Sequence, residues 1–254
     1  MDPSSLLAVL HRSADAVVDA LSGHEDWGLS GGRAGQYSSD LAADAAAVMV
    51  LRGEGLTVVS EETGRTDGGE VGGDIVVVLD PLDGSTNASL GLPWYATSIC
   101  AVDDDGPLAA VVHDLPGGTR LDAVRGRGAR RDGVELSPRG PGPALGNAIV
   151  AVNALPPRSP GWGQFRSMGA AALDLCAVAT GRFDAYVDYD TDALGPWDYL
   201  GGMLICREVG IEVVDAFDRE LVTLGHDDRR TPVAAPSALL EPLLTARRRA
   251  ATER

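Results

Sequence analysis

Apolar residues recur at helical spacing near the start of the chain, at Leu6, Leu7, Leu10, Ala14, Val17, Val18 and Leu21. This pattern predicts an amphipathic helix over 4–22, capped by Ser4 or Ser5 and stopped at Gly23. Residues 24–38 carry no such period and are rich in Gly and Ser, so they read as a loop. A second helix is expected from about Asp40 to Arg52. "LTVVS" (56–60) reads as a short strand ending on Glu61-Glu62, followed by the Gly-rich loop "TGRTDGGEVGG". In "DIVVVLD" (74–80) nearly every position is apolar, which predicts a strand covered on both faces.

Further on, "ATSICAV" and "LAAVVHD" flank "DDDG" and read as a hairpin. "RGARRDGVELS" is a second one, with Asp132-Gly133 suited to a type I′ turn. "GPGPALG" (140–146) is the candidate hinge between an N-terminal α+β half, 1–140, and a C-terminal α/β half, 141–254. Beyond it lie a strand near 148–152, a helix near 171–180 and the strand "FDAYVD" (183–188). A helix over about 197–209 follows, with Pro196 in its first turn and Gly210 at its end. "TPVAA" is a last strand, and a helix from about Ser237 ends in a basic turn that its dipole favours. The mixture is α and β throughout, and its antiparallel hairpins argue against a purely doubly wound sheet.

The 254 residues suffice for a sizeable core. A formal net charge of −16 argues against a nucleic-acid partner or an anionic membrane surface, which need clustered basic residues, and suits a site that gathers cations. Lysine is absent. Cys100, Cys176 and Cys206 are widely spaced in apolar runs and read as reduced core residues. No signal peptide and no apolar run of about 18 residues is visible, so a cytoplasmic protein is expected.

The candidate chemistry lies in "DPLDGSTN", residues 80–87. Asp80 ends a buried strand, where ligands often bind in α/β folds. Pro81 biases Asp80 to extended geometry, and the D-P-L-D turn aims Asp80 and Asp83 at one point. Two carboxylates so close repel, and one takes a proton unless a cation lies between them. Mg²⁺, with its preference for oxygen ligands, is the natural guest, and the Leu82 carbonyl is a further donor. Free N–H groups of Gly84, Ser85, Thr86 and Asn87 suit a phosphate. The same residues also suit a plain turn. Glu61-Glu62 fits either a second acidic strand end or a solvated pair, and Asp198 fits either a ligand or a helix-start aspartate.

"DPLDGSTN" resembles the D-P-[IL]-D-G-[ST]-T-N signature of the inositol monophosphatase family. "SEET" resembles its G-E-E-S box, and "PWDYLGGMLICREVG" its W-D…E-x-G segment. "YSSDLAAD" is similar to V-T-x-A-D, with Asp40 at the aspartate, and "MGAAALDLCAVATGRFDAYVD" to the G-S-A-A-L…D-A-Y stretch. The resemblance covers almost the whole chain. It implies a layered α-β-α-β-α sandwich, usually dimeric, with two or three Mg²⁺ ions and inhibition by Li⁺. Glu61, Asp80 and the Leu82 carbonyl would hold one ion, and Asp80, Asp83 and Asp198 a second. Glu61 would help hold a weaker third, and Glu62 would support from behind. Ser85 would orient the attacking water. Gly84, Ser85 and Thr86 would bind phosphate, while Gly169, Ala170, Ala171 and Asp188 would line the substrate pocket.

Three departures stand out. The family often carries a Lys in the loop before V-T-x-A-D; here only Arg33 stands near that position. "GAAA" replaces G-S-A-A, and Asp190 and Asp192 add charge beside Asp188. The resemblance implies a Mg²⁺-dependent phosphomonoesterase acting on a small phosphate ester. Inositol monophosphate and other polyol phosphates come first, with histidinol phosphate, fructose bisphosphate and 3′-phosphonucleotides as rivals. A bisphosphate would want a basic second site, for which Arg125, Arg127, Arg130 and Arg131 are candidates. A non-catalytic regulator binding Mg²⁺ or a phosphometabolite is the reading from another class.

Overall fold

The computed structural model describes residues 1–69 and 74–252. The chain opens with helices α1 (Pro3–Leu21) and α2 (Ser38–Gly53), then runs through β1 (Thr57–Ser60), β2 (Gly64–Thr66) and β3 (Val76–Asp83). A one-turn helix α3 (Ser85–Ser89) precedes the meander β4 (Ala96–Asp103), β5 (Gly106–Asp114), β6 (Arg120–Val124), β7 (Ala129–Arg131) and β8 (Val134–Glu135). The second half holds β9 (Ile149–Asn153), β10 (Gln164–Arg166), α4 (Ala171–Ala179) and β11 (Ala185–Asp188). It ends with α5 (Pro196–Glu208), β12 (Glu212–Asp215), β13 (Pro232–Ala235) and α6 (Ser237–Ala251).

Two sheets result. One has eight strands in the order β2-β1-β3-β4-β5-β6-β7-β8, the other five in the order β10-β9-β11-β13-β12. α1 and α2 cover one face of the large sheet, with Leu6, Leu10 and Leu51 packed on Val77, Leu79 and Ile99. Its other face, through Val78, Cys100 and Val112, meets Leu175, Leu200 and Met203 of α4 and α5. Those helices also meet Tyr186 and Ala234 of the small sheet. α6 closes the stack, with Leu239 and Leu243 on Val150, Val187 and Val233. The layering is therefore α-β-α-β-α, as the family resemblance implies. Alternation along β3 explains its unbroken apolar run: Val77 and Leu79 face one helical layer and Val78 the other.

Several local expectations shift. The α1 cap is Asp2, whose Oδ1 accepts from the N–H groups of Ser4 at 3.0 Å and Ser5 at 3.1 Å. Ser4 and Ser5 thus lie inside the first turn. α2 begins at Ser38, two residues early. Part of the Gly-rich loop forms β2, paired antiparallel to β1; residues 70–73 of that loop lie outside the described residues. The I′ hairpin holds, with Asp132 at φ 51° and Gly133 at φ 77° between β7 and β8. All three cysteines are buried and free.

The two glycines of "YLGGM" let α5 sit in the middle layer. A Cβ on Gly201 would stand 2.8 Å from Ser98 Oγ of β4, and one on Gly202 2.6 Å from Leu175 Cβ of α4. Larger residues at either position would push the start of α5, and Asp198 with it, away from β3. Among the described residues no helix is long and apolar enough to cross a membrane.

Candidate active site

β1 and β3 are parallel, with Ser60 opposite Leu79. The next residue on each strand is therefore acidic, Glu61 beside Asp80, and Glu61 N–H donates to Leu79 O at 3.0 Å. "DPLD" is strand and not the expected turn. Pro81 has no N–H to offer, and it falls where pairing with β1 has ended at Leu79 and the register against β4 shifts between Asp80 and Asp83. The shift re-aims the two carboxylates. Asp80 Oδ1 accepts the Leu82 N–H at 3.0 Å. Asp83 reaches the first turn of α4 and accepts from Ala172 N–H at 2.7 Å and Ala171 N–H at 3.2 Å.

α5 brings the third carboxylate. Asp198 Oδ2 accepts the Gly195 N–H at 2.6 Å, so the residue caps its own helix. Ser98 Oγ of β4 donates to Trp197 O at 3.2 Å and ties this helix start to the large sheet. One oxygen each of Asp80, Asp83 and Asp198 lies within 4.8 Å of the others. Glu61 flanks this trio, its Oε1 3.8 Å from Arg33 Nη2. Glu62 is turned inward behind it and held by Arg33 and by Gln36 Nε2.

Burial first, and mutual repulsion next, raise every carboxyl in the cluster. Glu61 is pushed up to about 8 by burial and then by Asp198 and Glu62, with Arg33 opposing. Asp198 reaches about 8 by burial and then Asp83. Asp83 reaches about 8 by burial, against the Ala172 N–H, with Asp174 and Glu61 adding to the rise. Asp80 is raised well above the carboxylate range by burial and then by Glu61, Asp83 and Asp198. Without a cation this cluster holds protons. Its donors are all hard oxygens, and the group fits Mg²⁺ or a similar ion.

Gly84 begins α3 at φ 84°, and a Cβ there would meet Ala170 Cβ and Trp94 O at 3.0 Å. Only glycine satisfies both constraints. Asp40, in the first turn of α2, accepts the Tyr37 N–H at 2.8 Å. Burial raises Asp40 to about 6, against the Tyr37 bond, and Ser85 acts in the same lowering sense as that bond. Tyr37 Oη donates to Thr86 Oγ1 at 3.3 Å. Of the residues expected to line the substrate pocket, Gly169, Ala170 and Ala171 border a cavity of about 100 Å³ together with Asp83, Asn153 and Asp174, and Asp188 does not reach it. Asp188 lies behind Asn153, whose Nδ2 donates to it at 3.1 Å, and its Oδ2 is buried without a partner. Burial lifts Asp188 to about 7, against the Asp190 N–H and Asn153.

Sequence reasoning gave several of these side chains no role. Asn87, the last letter of "DPLDGSTN", donates from Nδ2 to Trp94 O and Met168 O, both at 2.8 Å, and pins the α3 segment to the Gly169 loop. The motif itself was its signal. Asp174 accepts from Trp94 Nε1–H at 3.1 Å. His226 stacks on Trp197 with ring centroids 5.0 Å apart and sets Nε2 3.1 Å from Glu61 O. It thereby links the strand end that carries Glu61 to the helix that carries Asp198. No sequence pattern marked it. Asp192 is paired with Arg219 at 2.7 Å. The hairpin arginines have local partners: Arg125 bonds Asp103, Arg127 bonds Ser4, and Arg130 and Arg131 lie 3.8 and 3.9 Å from Asp122 and Asp132.

Comparison with known proteins agrees with this geometry. A family model described as the inositol monophosphatase family matches residues 46–252. Over 226 residues the chain is 31% identical to the Nus factor SuhB of Escherichia coli, covering 83% of this chain and 80% of the relative. It is 32% identical over 212 residues to a fructose-1,6-bisphosphatase/inositol-1-monophosphatase of Archaeoglobus fulgidus, covering 82% and 81% of the two chains. A solved structure from Pyrococcus horikoshii, described as similar to inositol-1 monophosphatase, superposes with a TM-score of 0.80 at 25% identity over 96% of both chains. Sequence motifs, layered fold and carboxylate cluster thus lead to one assignment: the chain belongs to the inositol monophosphatase family.

Proposed function

We propose that this protein is a Mg²⁺-dependent phosphomonoesterase acting on a small polyol or sugar phosphate. The observation that carries the reading is the convergence of Asp80, Asp83 and Asp198 within 4.8 Å, next to the glycine-led start of α3. Asp80, Asp83 and Asp198, with Glu61 and the Leu82 carbonyl, are the residues that would hold Mg²⁺. Bound Mg²⁺ supplies positive charge to a phosphate dianion and its leaving oxygen and acidifies a water for in-line attack. The chain's own residues do the rest. Backbone N–H groups of Gly84, Ser85 and Thr86 receive phosphate oxygens. The Ser85 hydroxyl, on the Asp40 side, orients the attacking water and hands its proton toward that carboxylate. Asn153, held from behind by Asp188, offers a hydrogen-bond partner to substrate hydroxyls.

Ser85→Ala is expected to lower turnover by about 10²–10⁴-fold, the usual worth of a positioned proton-handling group. Mg²⁺ affinity, followed by calorimetry, should stay near wild type. Unchanged turnover would reduce Ser85 to a turn residue. A panel of phosphate esters, assayed with Mg²⁺, decides the substrate class. The cavity beside Asp83 is lined by acidic, amide and apolar groups. That lining favours a polyol monoester over a bisphosphate, even though the Archaeoglobus relative is named for both. Release only from fructose bisphosphate would overturn this preference. Li⁺ suppression of the activity belongs to the same reading. The name Nus factor, borne by the Escherichia coli relative at 31% identity, favours a second reading as a non-catalytic binding protein. No release from any ester of the panel would support it.

A further inference from the structure

The segment from 28 to 38 is a closed loop. Leu29 bridges Tyr37, Ser30 N–H donates to Gln36 O at 2.9 Å, and Ser30 Oγ donates to Gln36 Oε1 at 2.7 Å. Gly31 and Gly35 hold φ of 77° and 79°, which glycine adopts without strain. The turn carries Arg33 across to the acidic strand end. Its Nη1 donates to Glu61 O at 3.2 Å, and its Nη2 lies 3.0 Å from Glu62 Oε1 and 3.8 Å from Glu61 Oε1. Gln36, from the same loop, bonds the second oxygen of Glu62. Among the described residues, every hydrogen bond and ion pair of the Arg33 guanidinium falls on Glu61 or Glu62.

We propose that Arg33 is a resident cation of the metal centre, occupying the outer side of Glu61 where a further metal ion would otherwise bind. The proposal rests on the metal-dependent reading above. A guanidinium does not lose its proton near neutral pH, so it is a permanent charge. Its planar fork spans the Glu61 carbonyl and the Glu62 carboxylate together, which an ammonium could not do. A divalent ion using the outer Glu61 oxygen would stand against that charge at a few ångströms. Glu61 is thereby left free to serve the inner ions on its other side, and the centre is restricted to those ions. Arg33 acts through Glu61, as a positioning residue that limits metal stoichiometry.

The test is a calorimetric titration of Mg²⁺ into metal-free wild type, Arg33→Gln and Arg33→Lys, with steady-state kinetics over the same Mg²⁺ range. Wild type should bind two ions. Arg33→Gln should bind a third, or bind its weakest ion about five- to tenfold tighter, the effect of one screened charge removed from within about 4 Å. Arg33→Lys, which keeps the charge but not the fork, should fall between the two. Equal stoichiometry and affinity in all three proteins would overturn the proposal while leaving the metal centre standing. An unchanged titration with a raised KM in Arg33→Gln would also overturn it, and would make Arg33 a phosphate ligand. Absence of Mg²⁺ binding by the wild type would overturn the metal centre itself, and this proposal with it.

Discussion

In excess EDTA at neutral pH, Asp80→Asn is expected to melt higher than the wild type. An ionised Asp80 would be repelled by its neighbours, and a protonated one must take up a proton that the unfolded chain does not bind at this pH; the amide has neither cost. The net gain should be about 1 kcal/mol or more, roughly 2–4 °C for a chain of this size. Asp80 is the right probe because its one backbone bond, from the Leu82 N–H to Oδ1, survives in the amide. Asp83→Asn is poorer, since both Asp83 oxygens accept N–H groups of α4 and an amide keeps only one acceptor. Saturating Mg²⁺ should raise the wild-type midpoint strongly, since an ion at about 1,000 times its Kd adds about 4 kcal/mol. Asp80→Asn should gain little from Mg²⁺ and lose about 10³-fold or more in turnover, several kcal/mol of charge stabilisation being removed. Scanning fluorimetry with and without Mg²⁺ reads the stability arm. Equal Mg²⁺ shifts in both proteins would show that Asp80 is no ligand.

The second large effect is on pH. Glu61, Asp83 and Asp198 bind their protons up to about pH 8 in the folded, metal-free chain, but only to about pH 4 when unfolded. The folded state therefore carries more protons through this window, and its stability falls as pH rises. His113 runs the other way: burial lowers it to about 4, so its contribution grows until its unfolded value near 6.5 is passed. The clean interval is thus from about pH 6.5 to 8. Over it, the midpoint in EDTA should drop on the order of 10 °C. With Mg²⁺ the slope should flatten or reverse, because ion binding must displace those protons and tightens as pH rises. A pH-independent midpoint in EDTA would mean that the carboxylates do not share one desolvated site.

What the sequence made legible, and what it hid, follows from the range of the interactions. β3 was visible because burial on both faces leaves an uninterrupted apolar run, and Asp80 was conspicuous as the polar residue that ends it. Glu61 and Asp198 were visible only as acidic residues at element ends, each with an ordinary alternative reading; the motif order connected them. Asp198 caps α5 as the ordinary reading has it, and it also lies within the carboxylate cluster. The D-P-L-D segment was misread as a turn because proline and aspartate favour turns locally. Its strand pairing depends on β4 and on a register shift that no local rule contains. β6, "RLDAV", and the three-residue β10 and β2 were missed because they are short or interrupted by charge. The bonds from Ala171 and Ala172 to Asp83 span 88 and 89 residues, and His226 reaches Glu61 across 165. Such contacts leave no periodic trace. Arg33 could be placed near the site by position, but its grip on Glu61 and Glu62 required the folded loop.

The most direct test is phosphate release from inositol 1-phosphate by purified wild type and Asp198→Asn, each in Mg²⁺ and in excess EDTA. The wild type should release phosphate with Mg²⁺ and lose that activity in EDTA, and Asp198→Asn should be nearly inactive in both. Equal release with and without EDTA, or full activity in Asp198→Asn, would contradict a catalytic metal centre built on Asp80, Asp83 and Asp198.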